Sequence, residues 1–219
     1  MIKTFFTLIF GLLPKSRLKN ILLRVCGHSV HITSQISPII LSKVSHLALG
    51  KGSVLQAGSF FRNLRKLEIG ENGFVGKFNH VYADLGFSTS ELAGKFILAP
   101  GSYVTNRHEL DCSGGIRLEK FSAIAGSRTI LQTHSVDFQL NSQTNAPIII
   151  GSYSFIGTNC LILMGASFPS KSILGAGSLL PSNFNEDREG IFIGRPAKWL
   201  KDADGMWFSR ENPHTIEYR

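Results

Sequence analysis

Residues 147–178 read PIIIGSYSFIGTNCLILMGASFPSKSILGAGS. Large apolar residues stand at every sixth position, at Ile150, Ile156, Ile162, Phe168 and Leu174, and Leu180 continues the series. Four positions after each comes something small: Ser154, Cys160, Ala166, Ser172 and Ser178. Glycines gather between them, at Gly151, Gly157, Gly165, Gly175 and Gly177. A period of six fits neither the 3.6-residue helix nor simple strand alternation. It suits a chain that makes a short strand, turns, and starts again.

The same rhythm extends toward the N-terminus. One run is Leu98, Val104, Leu110 and Ile116, and another, shifted by two residues, is Leu118, Ile124, Ile130 and Val136. Earlier come Leu49, Leu55, Phe61 and Leu67, then Ile69, Val75 and Val81. Three strands of this length close one triangular coil of about 18 residues, and coils stack at roughly 4.8 Å. The expectation is an all-β chain: a parallel β-helix whose apolar residues form a ladder up its inside.

The rhythm fails once in an informative way. Residues 130–137 read ILQTHSVD, and His134 falls in the small slot of the hexad opened by Ile130. The spacing from Val136 to Ile150 is not a multiple of six, so a loop near 137–147 leaves the coil directly after His134. Loops on a regular scaffold carry function. A neutral imidazole beside one is suited to general-base chemistry. Asp137, or a main-chain carbonyl, is the candidate to orient it, and Asp137 reads equally well as a turn cap. The cluster Asn106, Arg107, His108 and Asp111 is dense in polar groups for a β-helix wall and reads as acceptor recognition, with Asp137 beside it. Cys160 occupies an inward slot and reads as core, and Cys112 lacks a neighbouring base, so direct transfer is expected over a covalent route.

The chain has 219 residues and a formal net charge of +8, unevenly placed. Lys3, Lys15, Arg17, Lys19, Arg24, Lys43, Lys51, Arg62, Arg65 and Lys66 all precede the first acidic residue, Glu68. No aromatic-basic motif accompanies this charge, so a membrane surface is the better partner than nucleic acid. Residues 4–13, TFFTLIFGLL, are apolar but too short to span a bilayer, and no small-x-small site follows them. Ser16 is a candidate N-cap for a helix carrying Leu18, Ile21, Leu22 and Val25, with Gly27 as its stop. Two readings stand side by side: a basic amphipathic element on an anionic membrane, or a helix capping the open end of the fold. Three sparse cysteines, Cys26, Cys112 and Cys160, point to reduced thiols and a cytoplasmic setting, with the inner membrane face as the neighbouring surface.

Residues 116–201, and within them THSVD, the opening stretch and IGRPAKWLK, resemble the hexapeptide-repeat acyltransferases. RHELDCSGG (107–115) and WFSRE (207–211) are similar to the branch that acetylates bacterial surface polysaccharides and related sugars. The resemblance implies a left-handed coil, against the general preference for right-handed crossovers. It implies a homotrimer, an acetyl-CoA donor, no metal, and O-acetylation of a sugar with His134 as base. It places the pantetheine arm near Thr158 and Ala176, and the phosphates near Lys198, with Arg195 and Lys201 assisting. It carries Asn106 and Asp111 to the acceptor. Two departures are visible: the loop after His134 holds no glutamate, and LLPSN follows GAGS where relatives have a basic residue. The expected organisation is a helical segment over 1–28, the β-helix over 29–194 and a helical tail over 195–219 whose Met206, Trp207 and Phe208 fold back on the coils. Rival readings are N-acetylation of an amino sugar, a β-helical carbonic anhydrase, for which the histidine spacing is wrong, and a β-helix without catalysis.

Overall fold

The computed structural model describes residues 2–84, 86, 87 and 91–211. Short strands wind through three parallel sheets in rotation, which is a parallel β-helix of triangular section. Each sheet has an unbroken inward column. The second sheet stacks Ile36, Leu55, Val75, Val104, Ile124, Ile156, Leu174 and Phe192. The third stacks Leu41, Phe61, Val81, Leu110, Leu131, Ile162 and Leu180. All of these side chains are buried, each stabilising by about 1.5–3 kcal/mol. The hexad ladder is this core.

Coil length departs from 18 residues. In the first sheet, Leu49 pairs with Ile69 and Leu98 with Leu118, partners twenty apart. Strands there place two large apolar residues inward, as in Leu47 with Leu49 and Phe96 with Leu98, and this adds a dipeptide to the coil. Only near the C-terminal end, from Ile150 to Phe168, do partners stand eighteen apart. The shift by two between the hexad runs records this difference.

A second departure lies just before the break. Leu131, not Ile130, joins the inward column, and Ile130 is exposed. The corner at 125–129 holds one residue more than the corners above and below it, and a slip of one turns the strand's faces over. Val136 is likewise exposed, on a hairpin outside the coil.

Helix α1 (Ile2–Leu12) and helix α2 (Arg17–Val25) pack on the first coil. Ser16 caps α2, its hydroxyl accepting from Lys19 N at 3.1 Å. Capping of the open end is thus what these helices do within the chain.

The expected helical tail is a β-hairpin instead. Ile191–Gly194 adds to the second sheet beside Ile173–Leu174, then turns and pairs antiparallel with Ala197–Lys201. Ile191 and Phe192 continue the register of the coil below, and Ala197–Lys201 becomes the edge strand of the sheet. Residues 197–201 therefore belong to the second sheet. Beyond them a short 3-10 turn, Met206–Ser209, lies back on the wall: Trp207 Nε1 donates to Tyr153 O at 2.9 Å and Phe208 is buried, while Met206 is exposed. Arg210 stacks on Trp207 and donates to the carbonyl of Phe121. Residues 212–219 of the expected tail lie outside the described residues.

Candidate functional site

Two insertions leave the β-helix at one corner, between the third sheet and the first. One, described at residues 83, 84, 86, 87 and 91–94, follows the strand His80–Tyr82; the other follows Ile130–Gln132 and contains the hairpin His134–Asp137 with Ser142–Asn145. The corner of the coil between them is tight and rich in glycine. Gly115 has φ +97°, and a side chain there would run into the Leu92 carbonyl of the first insertion. The first insertion was not anticipated, although the spacing from Val81 to Leu98 is also not a multiple of six.

His134 is the first residue of the hairpin and a third of its side chain is open to solvent. Thr133, just before it, fills the buried corner position. The imidazole Nδ1 lies 2.7 Å from Asp111 Oδ2. Asp111 is fully buried at the end of a strand one coil below. The same Oδ2 accepts from Thr133 N at 2.8 Å and lies 3.0 Å from the Thr133 hydroxyl, while Oδ1 accepts from Ser113 N at 3.0 Å and Ser113 Oγ at 2.5 Å. Burial alone would push this carboxyl up. The hydrogen bonds from Ser113, His134 and Thr133 outweigh burial and hold it below the ordinary carboxylate value. An ionised carboxylate only accepts, so Nδ1 carries a proton, and in the neutral imidazole Nε2 then presents a lone pair.

A cavity of about 470 Å³ opens between the two insertions, lined by Phe87 and Asn145, the neighbours of His134. Asp84, Gly86 and Phe87 line it from one side, and Gln143, Thr144 and Asn145 from the other. The Phe87 ring is 5.5 Å from the His134 ring, centre to centre. Asn145 pairs with His134 across the hairpin and donates to Ser113 O at 3.0 Å, which ties the hairpin to the corner below.

The other residues read as acceptor contacts are placed differently. Asp111 is buried and bonds the imidazole, the role that the sequence left between Asp137 and a main-chain carbonyl. Asp137 caps the hairpin turn, accepting from Gln139 N at 2.9 Å and Leu140 N at 3.0 Å. His108 is buried: Nδ1 accepts from Thr129 N at 3.2 Å and Nε2 sits 3.0 Å from the Thr105 hydroxyl. Burial lowers its pKa to about 4, so it is a neutral strut between coils. Asn106 and Arg107 are exposed at a different corner, where Asn106 Oδ1 accepts from Lys77 N at 2.7 Å and Arg107 lies over Phe78.

That second corner, between the second and third sheets, also carries Thr158 and Ala176. They occupy consecutive coils, joined by Gly177 N donating to Thr158 O at 2.9 Å. Gly194 N bonds Ser178 Oγ at 3.1 Å one coil further on, and exposed Arg195, Lys198 and Lys201 follow on the closing hairpin. The corner is thus a column of small residues that ends in a basic cluster. The third-sheet strands Ile130–Gln132 and Leu161–Leu163 run between this corner and the His134 corner, so the two lie at opposite ends of one face of the coil.

Cys112 and Cys160 are buried, and burial pushes both thiols up, the opposite of an activated nucleophile. Among the described residues no cluster of three or more His, Cys, Asp or Glu side chains is arranged to hold a metal ion.

No protein-family model matches the chain. Among solved structures, it is similar to a point mutant of AntD, an N-acyltransferase from Bacillus cereus in complex with dTDP-4-amino-4,6-dideoxyglucose and coenzyme A: TM-score 0.58, 17% identity, 74% of this chain and 85% of that one. A second AntD point mutant with the same two ligands aligns over 88% of this chain and 92% of its own, with a TM-score of 0.53 and 17% identity. The polySia specific acetyltransferase NeuO aligns at a TM-score of 0.45 and 19% identity, over 80% of each chain. The likeness is one of fold, a left-handed parallel β-helix.

Proposed function

We propose that this chain is an acetyl-CoA-dependent acyltransferase that transfers an acetyl group directly to a sugar hydroxyl, with His134 as general base. The observation that carries this reading is the pair His134–Asp111: a partly exposed imidazole held at 2.7 Å by a buried carboxylate, next to Phe87 and Asn145 of the neighbouring cavity. Asp111 keeps the proton on Nδ1. Nε2 then takes the proton from the acceptor hydroxyl as its oxygen bonds to the thioester carbonyl carbon. The same nitrogen returns that proton to sulfur as the carbon–sulfur bond breaks. In this reading Asp84, Gln143, Thr144 and Asn145 offer hydrogen bonds to sugar hydroxyls, and Phe87 offers an apolar face to the ring.

The column of Thr158 and Ala176 suits the donor. Its small side chains leave room for an extended arm along the coils, and Arg195, Lys198 and Lys201 supply positive charge where the phosphates of coenzyme A would end. We place the donor and the base in one site through a homotrimer, in which the Thr158 corner of one copy meets the His134 corner of the next. The separation of the two corners within a chain supports this, as do exposed Phe138 and Leu140 at the hairpin tip, an apolar pair suited to a neighbouring copy. Unpaired cysteines and the acetyl-CoA donor support a cytoplasmic setting.

The second reading is N-acylation. The similarity to AntD, whose complex holds a 4-amino sugar nucleotide, favours it, and the same base would serve an amine. The deciding experiment follows thioester consumption from acetyl-CoA with hydroxyl and amino sugars, free and nucleotide-linked, for wild type and His134→Ala. Turnover with a hydroxyl acceptor, lost in the variant while coenzyme A binding persists, supports the proposal. Turnover confined to amino sugars selects the second reading, and absence of coenzyme A binding overturns both.

A further inference from the structure

The two N-terminal helices are amphipathic with the usual sides exchanged. In α1, Thr7 and Gly11 are buried against the first coil, while Ile2, Phe5, Phe6, Ile9 and Leu12 fall on one helical stripe and are exposed. In α2, Lys19, Asn20 and Leu23 are buried, while Leu18, Ile21 and Val25 are exposed, Val25 by 79%.

Polar anchors hold the helices in this roll. Lys19 Nζ donates to the carbonyls of Gly11, Leu13 and Ser37 at 2.8, 2.9 and 2.9 Å. Asn20 Nδ2 donates to Ser34 O at 2.8 Å and Ile32 O at 3.2 Å. Buried His28 bridges the two ends of this arrangement, accepting from Leu47 N at 3.1 Å and pairing with the Thr7 hydroxyl at 2.8 Å. Gly11 lies so close to the coil that an added Cβ would meet Ile39 O at 2.9 Å. A helix packed only by the hydrophobic effect turns its apolar stripe inward. Here hydrogen bonds to main-chain carbonyls specify the reverse, and eight large apolar side chains face outward as a result.

The charge around this surface is of one sign. Lys3, Lys15, Arg17, Arg24 and Lys43 are exposed on or beside the helices, and no acidic residue precedes Glu68. Lys43 stands at the rim of a largely apolar cavity of about 590 Å³, lined also by Ile2, Thr4, Phe5, Phe6, Leu8 and Ser42.

We propose that this face docks on an anionic lipid bilayer, with α1 and α2 lying in the headgroup–acyl boundary. Apolar side chains enter the acyl region and the flanking lysines and arginines meet anionic headgroups. A second copy of the same face would set like charges against one another, whereas an anionic surface complements them. The helices lie on the membrane and do not cross it: α1 has 11 residues, about 16 Å of helix against roughly 30 Å of hydrocarbon. Among the described residues no helix is long and apolar enough to span. The inference does not rest on the proposed reaction, since none of these residues lies at the His134 corner.

The test is co-sedimentation of the full chain with vesicles of phosphatidylglycerol and phosphatidylethanolamine, against pure phosphatidylcholine, at low and high salt. Wild type should partition onto the anionic vesicles and less so at high salt. Phe5→Ser with Phe6→Ser, and separately Lys15→Glu with Arg17→Glu, should each weaken partitioning by about tenfold or more, with thermal midpoint and circular dichroism unchanged. Wild type that stays in the supernatant with every vesicle overturns the proposal. So does equal partitioning of wild type and both variants. Self-association in vesicle-free buffer that Phe5→Ser with Phe6→Ser abolishes, without lipid binding by wild type, would assign the face to a second copy instead.

Discussion

The side chains of His134 and Asp111 meet at 2.7 Å because the strand that ends at Asp111 pairs with Ile130–Gln132, the strand that leads into the His134 hairpin. Glu109 stands opposite Ile130 and Leu110 opposite Leu131, so the ends of the two strands fall together at the corner. The carboxylate is buried and fully engaged, the imidazole is partly open, and the pair sits between two insertions that enclose a cavity. General-base chemistry contributes roughly 10²–10⁴-fold, and His134→Ala should lose acetyl transfer by that factor. Coenzyme A binding, followed by calorimetry, should be retained. A variant that keeps its rate would make His134 structural.

Asp111 acts through the imidazole and also holds the corner together. Asp111→Asn replaces one accepting oxygen by a donor, opposite the donors of Thr133, His134 and Ser113. Leaving a buried donor unmatched costs about 1–3 kcal/mol, readable by urea denaturation. Because the folded carboxyl lies below its ordinary value, its contribution to stability is present above the unfolded value and lost as pH falls through the folded one. The variant should lack that acid-side decline. Kinetically, kcat should fall while KM for both substrates stays near wild type, a split that loss of folding alone does not produce.

The core was legible because a β-helix writes its interior at a fixed period. Ile150 to Leu180 read directly as inward residues, and the offset of two between runs was the mark of twenty-residue coils. Ile130 and Leu131 are both apolar, so period alone does not choose between them, and the extra residue in the preceding corner decides. Asp111 was visible as a polar residue but not as the partner of His134, since that depends on which rung lies beside which. The helices at the N-terminus make the same point from the other side. Periodicity told which residues share a stripe, while buried Lys19 and Asn20 determine that the apolar stripe faces out.

Two buried histidines make the fold sensitive to acid. His28 and His108 each accept a main-chain N–H at Nδ1, from Leu47 and Thr129, and each pairs at Nε2 with a threonine hydroxyl. Burial lowers both to about 4; for His28 the charges of Lys3 and His46 add to the effect. The unfolded chain binds these protons near pH 6.5, so stability is full above that value and declines as pH falls from about 6.5 to about 4. The linkage is on the order of 3 kcal/mol per histidine at the acid end. The thermal midpoint should therefore drop between pH 7 and pH 5, by the shift that a loss of a few kcal/mol produces in a domain of this size. His108→Asn, measured over the same range, should show a shallower dependence. An equal slope in the two proteins would assign the acid sensitivity elsewhere.

The donor assignment makes the sharpest demand on the second corner. Ala176 is exposed, flanked by Gly175 and Gly177, and stacked one coil above Thr158. A bulky side chain there projects outward and touches nothing in the core, so Ala176→Trp should leave the thermal midpoint unchanged. It would fill the column that the pantetheine arm follows in the proposed site. KM for acetyl-CoA should rise by tenfold or more, with KM for the acceptor unaffected. The basic hairpin gives an independent reading of the same path. Lys198→Ala with Lys201→Ala should weaken coenzyme A by a few-fold, and the difference from wild type should shrink as salt screens the phosphates. Both lysines are exposed, so their loss affects stability by less than about 1 kcal/mol. If Ala176→Trp binds acetyl-CoA as wild type does while the lysine pair matters, the phosphates sit at the hairpin but the arm runs along another face. If neither substitution changes KM, the column is ordinary β-helix wall and the donor is held elsewhere.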